Sequence, residues 1–214
     1  MNVYMEKKLL IIAAGLLLLC QTIFAANKEI NGTLGTSYAD NPSKYGLDIS
    51  LHYNWLLDPY FLTGLESGFF WVQWDRKIGV KQEGSVYVDV KADSNAYTIP
   101  IMFNAQVRLP NLQSKLYVVP FATVGFGYSF MILHYSRPDF TDSRTGKTYD
   151  SDSITKLFKG LSWELLFGVS LKPATDSKVD FYAECGYRKL PLKSGDLELD
   201  MSGFLLRFGV RYPL

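Results

Sequence analysis

Residues Tyr45 to Leu56 set a pattern that recurs along the chain. Tyr45, Leu47, Ile49, Leu51, Tyr53 and Trp55 fall on one phase, and Gly46, Asp48, Ser50, His52 and Asn54 on the other. Successive side chains of a β-strand point to opposite faces, so this segment is predicted to be a strand with one apolar and one polar face. Tyr97 to Leu109, Leu161 to Leu171, Val179 to Arg188 and Phe204 to Leu214 alternate in the same way. Three further segments are less regular. Ile30 to Tyr38 is rich in Gly and Thr, Tyr60 to Trp74 is partly apolar on both phases, and Leu116 to His134 carries Gly125 and Gly127 on one phase. Eight strands result, each near or above the roughly 9–11 residues that cross a bilayer with tilt.

Asp40-Asn41-Pro42-Ser43 joins the first two strands, and after the second strand the connections alternate in length. Leu57-Asp58-Pro59, Pro110 to Ser114 and Pro173 to Ser177 are short, whereas Arg76 to Asp93, Ser136 to Lys159 and Leu190 to Leu199 are longer. Short periplasmic turns and longer outer loops are the rule for outer-membrane barrels, and this rhythm puts both barrel termini on the periplasmic side. Alternation also fits a soluble sandwich or a lipocalin-like barrel. Sidedness separates the two: a soluble barrel turns its apolar face inward and its charges outward. Here the apolar phases carry almost no charge, and the charges share a phase with Gly, Ser, Asn and Thr. The predicted fold is therefore all-β: an eight-stranded antiparallel up-and-down transmembrane β-barrel with a polar interior.

The first residues read as an address. Lys7 and Lys8 precede an apolar run from Leu9 to Leu19, and the small residues Ala25 and Ala26 follow. This is the layout of a cleaved signal peptide, residues 1–26, with cleavage near Ala25 or Ala26 and a barrel domain over 27–214. The apolar run is too short for an ordinary spanning helix. Leu19 before Cys20 argues against a lipoprotein, which wants a small residue there, and Cys185 is then the single cysteine of the mature chain. Neither a disulfide framework nor a cysteine-based metal site is available.

Composition adds two points. Tyr, Phe and Trp number 14, 14 and 4, an excess suited to aromatic belts. Trp55, Phe61, Phe181 and Tyr212 fall near one set of strand ends, and Tyr45, Trp71, Trp163 and Tyr187 near the other. Without the leader, basic and acidic residues balance at 20 each, counting 22 less Lys7 and Lys8 against 21 less Glu6, so nothing points to nucleic acid.

The inward phase gathers Asp48, Glu66, Glu164, Asp180 and Glu184 with Arg108, Arg188, Arg207 and Arg211, and His52 lies among them. An eight-stranded lumen is just wide enough for side chains, so each charge requires a partner. For antiparallel last strands, Asp180 with Arg211 and Glu184 with Arg207 share the index sum 391, so both pairs fit one register. The expected outcome is a salt-bridged plug; an ion gate is the functional alternative. Catalytic machinery is not evident. His52 and His134 are the two histidines, and no Gly-x-Ser-x-Gly elbow occurs. No metal-ligand spacing or cofactor motif is present. Ser136 to Lys159, with Asp139, Asp142, Arg144, Lys147, Asp150, Asp152 and Lys156, reads as a solvated loop, and Val86 to Val90 as part of a hairpin above the membrane.

Tyr45-Gly46-Leu47-Asp48-Ile49, Tyr97-Thr98-Ile99-Pro100-Ile101, Val119-Pro120-Phe121 through Gly125-Phe126-Gly127, and the strand Phe204 to Leu214 together resemble the small outer-membrane β-barrels of the OmpA-, OmpX- and OmpW-like porin family. The resemblance spans the mature chain as a pattern. It implies a bacterial outer-membrane location, a lipid environment, insertion by the barrel-assembly machinery and no cofactor. Members often end on an aromatic residue, whereas this chain ends Tyr212-Pro213-Leu214. The family implies no single activity, because relatives serve as anchors, adhesins, small pores and lipid-handling enzymes. A structural or surface-interaction barrel, with a host or phage ligand at the outer loops, is one expectation. A small pore or carrier of apolar molecules is the second, and a lipid-modifying enzyme the third.

Overall fold

The computed structural model describes residues 27–113, 118–171 and 177–214. The predicted signal peptide, the start of the fifth predicted strand at Leu116 and most of the 173–177 turn lie outside the described residues. Eight long strands form the wall: β1 (Asn27–Ala39), β2 (Lys44–Leu56), β3 (Phe61–Glu83), β4 (Val86–Arg108), β5 (Val119–Arg137), β8 (Asp152–Leu171), β9 (Asp180–Lys189) and β12 (Gly203–Pro213). Each pairs antiparallel with the next, and β12 returns to β1 to close the ring. The closing register sets Ile30 opposite Tyr212 and Ser37 opposite Leu205. Within the apolar band no wall strand keeps an open edge among the described residues, which is the condition for placing a sheet in hydrocarbon.

The alternation is carried into burial with the apolar phase outside. Leu34, Leu51 and Phe208 are 57, 61 and 61% exposed, whereas Glu66, Glu164 and Arg207 are 1, 0 and 0% exposed. A soluble barrel has the reverse arrangement. Aromatic pairs mark both rims of the apolar band. Tyr53 and Trp55 lie 5.2 Å apart at the short-turn end, and Trp163 and Tyr187 lie 6.1 Å apart at the long-loop end. The tight β2–β3 turn is held by Asp58, whose Oδ1 accepts the N–H of Tyr60 at 2.6 Å and of Phe61 at 2.7 Å.

Several strands run past the apolar band at the long-loop end. β3 and β4 continue as a hairpin to a turn at Gly84, where φ is +63°. The 136–159 segment is more ordered than a solvated loop. β5 persists to Arg137, β8 starts at Asp152, and the intervening β6 (Phe140–Thr141) and β7 (Thr148–Tyr149) pair with each other. The cause is a local apolar anchor: Phe140 is buried and stacks on Tyr149 at 4.9 Å. Asp142 supports the turn by accepting the Arg144 N–H and the Thr145 hydroxyl, bonds that hold its carboxyl below the usual carboxylate range. Between β9 and β12, β10 (Pro191–Ser194) and β11 (Leu197–Asp200) form a second small hairpin.

If the apolar phase faces lipid, Phe208→Arg at the middle of β12 is expected to lower unfolding free energy in lipid vesicles by about 2–4 kcal/mol, against less than about 1 kcal/mol for Gln73→Arg above the band. Equal, small effects at both positions would point to a wall bathed in water.

Candidate functional site in the barrel lumen

Strand geometry brings charges from several strands of the wall to one level. Asp48 comes from β2, Glu66 from β3, Glu164 from β8, Glu184 and Arg188 from β9, and Arg207 from β12. Their neighbours are small where space is needed. A Cβ on Gly125 would lie 2.9 Å from Glu164 Cγ, so this glycine makes room for the carboxylate. Arg207 is the hub. Its Nη1 donates to Glu66 Oε1 at 2.7 Å and to Ser50 Oγ at 3.1 Å, and its Nε donates to Glu184 Oε1 at 2.9 Å. Its Nη2 reaches Glu164 Oε1 at 3.5 Å. Arg188 is the second centre, with Nη1 on Asp48 Oδ2 at 2.8 Å and Nε on Glu164 Oε2 at 3.0 Å.

A second cluster lies toward the short-turn end. Arg108 pairs with Glu29, and Arg211 Nε lies 3.3 Å from the same carboxylate. Arg108 Nε donates to Gln106 Oε1 at 2.7 Å, and Asn54 Nδ2 donates to Glu29 at 3.2 Å. Arg211 also stacks its guanidinium 4.9 Å from the Tyr182 ring centre. The two clusters have opposite excesses. Four carboxylates surround Arg188 and Arg207, while two guanidiniums share Glu29. In a narrow, low-dielectric lumen such groups hold one another in place, because removing one partner leaves a buried charge unpaired.

Of the residues picked out from sequence, Asp48, Glu66, Glu164, Glu184, Arg188 and Arg207 meet in the first cluster, and Arg108 and Arg211 in the second. Glu184 faces Arg207 and Asp180 faces Arg211, both in the register with index sum 391. The Asp180–Arg211 ion pair, however, is replaced. The Arg211 guanidinium turns to Glu29, which is 3% exposed, whereas Asp180 stands half-buried at the strand end where water competes for it. Sequence reasoning misses Glu29, because it starts the first strand at Ile30. A signal is there to find: Glu29, Asn31 and Thr33 alternate with Ile30, Gly32 and Leu34.

Ser50, His52 and Glu66 lie in the spatial order of a hydrolase triad, but His52 Nδ1 meets Asn104 Nδ2 at 3.4 Å and Glu66 Oε2 makes no hydrogen bond. His52 Nε2 lies 3.0 Å from Ser50 Oγ, and Nδ1 lies 3.4 Å from Glu66 Oε2. Chemistry there is blocked in three ways. Ser50 Oγ is also bonded to Thr33 at 2.5 Å and to Arg207, so its lone pairs and proton are engaged. All three residues are at most 5% exposed, so no substrate reaches them. The neighbouring backbone pairs along both edges of β2, which leaves no amides there for an oxyanion. His134, the other histidine, meets Thr155 Oγ1 at 3.1 Å on the barrel's outer side.

An apolar cap closes the lumen beyond the charges. Phe70, Val72, Ala96, Met131 and Phe158 on the wall enclose Leu190, Leu192 and Met201 from the β9–β12 connection, and Trp74 packs against them. The sequence pattern sets Trp74 on the opposite phase from Trp71 and leaves it without a partner; the cap is that partner.

A scan against models of protein families finds no match, and a search among curated proteins finds none. Solved structures do match. Neisserial surface protein A is 13% identical with a TM-score of 0.47 over 88% of this chain and 96% of its own. OprG from Pseudomonas aeruginosa is 13% identical with a TM-score of 0.45 over 88% and 96%. A major outer membrane protein from Thermus thermophilus is 11% identical with a TM-score of 0.50 over 88% and 99%. The fold is that of a small outer-membrane β-barrel.

Arg207→Leu is expected to cost about 3–5 kcal/mol of unfolding free energy in lipid vesicles, since it strands several carboxylates at once. Glu184→Gln removes a single carboxylate of the cluster and should cost less. A neutral Arg207→Leu would mean that the network does not hold the wall.

Proposed function

We propose that the mature chain is a non-enzymatic barrel of a bacterial outer membrane, exported by the leader at residues 1–26, and that it contributes to envelope integrity or surface interaction. Outer-membrane lipid and, during insertion, the barrel-assembly machinery are its partners. The observation that carries this reading is the double closure of the lumen: an ion-paired layer centred on Arg207 and, beyond it, an apolar cap containing Met131, Leu192 and Met201. Solute would have to break both layers to pass, and water gains no continuous polar path. The longer connections gather at one end, where the strands outrun the apolar band, which suits display outside the cell.

Purified barrel in a planar lipid bilayer is expected to give no steady conductance above background. Sustained single-channel steps would replace this proposal with the pore alternative.

The buried Ser50–His52–Glu66 arrangement allows a direct test of the enzyme alternative. A fluorophosphonate probe should leave Ser50 unmodified in the folded barrel, as judged by mass spectrometry. Stoichiometric labelling of Ser50, abolished by His52→Ala, would make the protein a hydrolase.

A further inference from the structure

The lumen phase of the wall does not end at the apolar cap. On β3 it continues past Trp74 to Arg76, and on β5 past Leu133 and Tyr135 to Arg137. Trp74, Ser94 and Tyr135 share one row across β3, β4 and β5. Arg76 faces Ala92 in the next row, and Arg137 comes one position beyond the Asp93–Ser136 pair, on the other side of the same Ala92. Two guanidiniums thus flank a strand whose side chain between them is a methyl. Two interstrand spacings separate their backbones by about 9.5 Å, a gap that one anionic group can bridge.

The space is a recess of about 360 Å³. Its lining includes Arg76, Lys77, Tyr135, Arg137, Phe140 and Tyr149, and no acidic side chain among the described residues. Lys77 is neutralised by Asp89 at 2.5 Å, and Arg137 donates to the Asp150 carbonyl at 3.1 Å. Among the described residues neither Arg76 nor Arg137 makes an ion pair, in contrast to every arginine of the lumen below. A bulge between Lys77 and Gly79 bends β3 here, and Phe140 fills the space at Gly79. The wall opposite is aromatic. Arg137 stands 5.5 Å from the centre of the Tyr149 ring, which also stacks on Phe140. Arg76 lies beyond Trp71 of the aromatic rim, roughly 12 Å outside the hydrocarbon after tilt.

We propose that this recess binds an anionic saccharide, a pyranose carrying a phosphate or sulfate ester. Arg76 and Arg137 hold the ester through charge-assisted hydrogen bonds. The Tyr135 ring lies against the sugar, and the Tyr135 and Tyr149 hydroxyls supply polar tips for its hydroxyls. The volume suits one or two sugar rings and falls within the usual range for small-ligand sites. The inference rests on the long-loop end facing the cell exterior, where the membrane's own phosphorylated glycolipid and sulfated glycans of other surfaces both present this chemistry.

The test uses the folded full barrel in nanodiscs, titrated by calorimetry with a phosphorylated disaccharide, a sulfated disaccharide and the neutral parent sugar. At least one ester should bind and the neutral sugar should not; the tighter ester identifies the source. Arg76→Gln and Arg137→Gln should each weaken binding by about tenfold, the effect of losing one charge-assisted hydrogen bond. Lys193→Gln, on the separate β10–β11 hairpin, should leave it unchanged. All three substitutions lie outside the wall's ion-paired layers, so each variant should keep the mobility difference between heated and unheated samples. The proposal is overturned if neither ester binds, if the neutral sugar binds as well, or if Lys193→Gln weakens binding as much as the arginine changes. Orientation is read separately: Ser85→Cys at the β3–β4 tip should react with a membrane-impermeant maleimide on intact cells. Absence of that labelling would sink the surface reading while leaving the calorimetric result to stand or fall by itself.

Discussion

A sheet in hydrocarbon must satisfy every backbone N–H and C=O internally, and the β1–β12 pairing is what lets this chain do so. Without that seam, β1 and β12 would each expose a row of polar groups to lipid. With it, the described wall has no edge inside the apolar band, and the side chains there sort by phase alone. The outward phase is apolar from Leu34 and Leu51 through Phe208, and the inward phase must absorb everything else.

Closure with eight strands also sets the interior problem. The lumen is too narrow to hydrate charges freely, yet Asp48, Glu66, Glu164, Glu184, Arg188, Arg207 and Arg211 are all buried in it. The solution is shared coordination. Arg207 reaches carboxylates on β3, β8 and β9, and thereby links walls that are not neighbours in the sheet. Such a layer is costly to break, because losing one partner strands buried charges, although a hydrophobic replacement of the whole layer at equal volume would be no less stable in principle. Small residues such as Gly125 and Gly209 are the complement of this crowding: a Cβ at Gly209 would sit 2.6 Å from the Tyr182 ring.

The long-loop end follows different rules. There the strands leave the lipid, and both faces meet water or one another. Phe70, Met131 and Phe158 turn the lumen apolar just where it would open, and the β9–β12 connection supplies Leu190 and Leu192 to complete the cap. Above it, the β3 bulge and the small β6–β7 pair gather cations and aromatic rings that are far apart in sequence. The barrel thus carries its structural charges inside and, at the rim, arginines that no carboxylate among the described residues neutralises.

The phase of nearly every wall residue was legible in the sequence, because a period of two is a local property and sidedness needs no partner to be read. The 391 register was legible for the same reason: antiparallel pairing constrains sums of residue numbers. What the sequence could not decide was where a long side chain goes once its Cα is placed. Asp180 and Arg211 face each other, yet the guanidinium crosses to Glu29, which is drier and therefore the stronger partner. Nor could it show that Ser50, His52 and Glu66 would meet in triad order, or that Trp74, Leu192 and Met201 would close the lumen. Those contacts join segments as distant in the chain as β3 and the β9–β12 connection, and they depend on strand closure and curvature. Local alternation and the sidedness of the charges determined which face of each strand is polar, because both are read strand by strand; only the closed tertiary structure decided which charges pair and which segments cap the lumen.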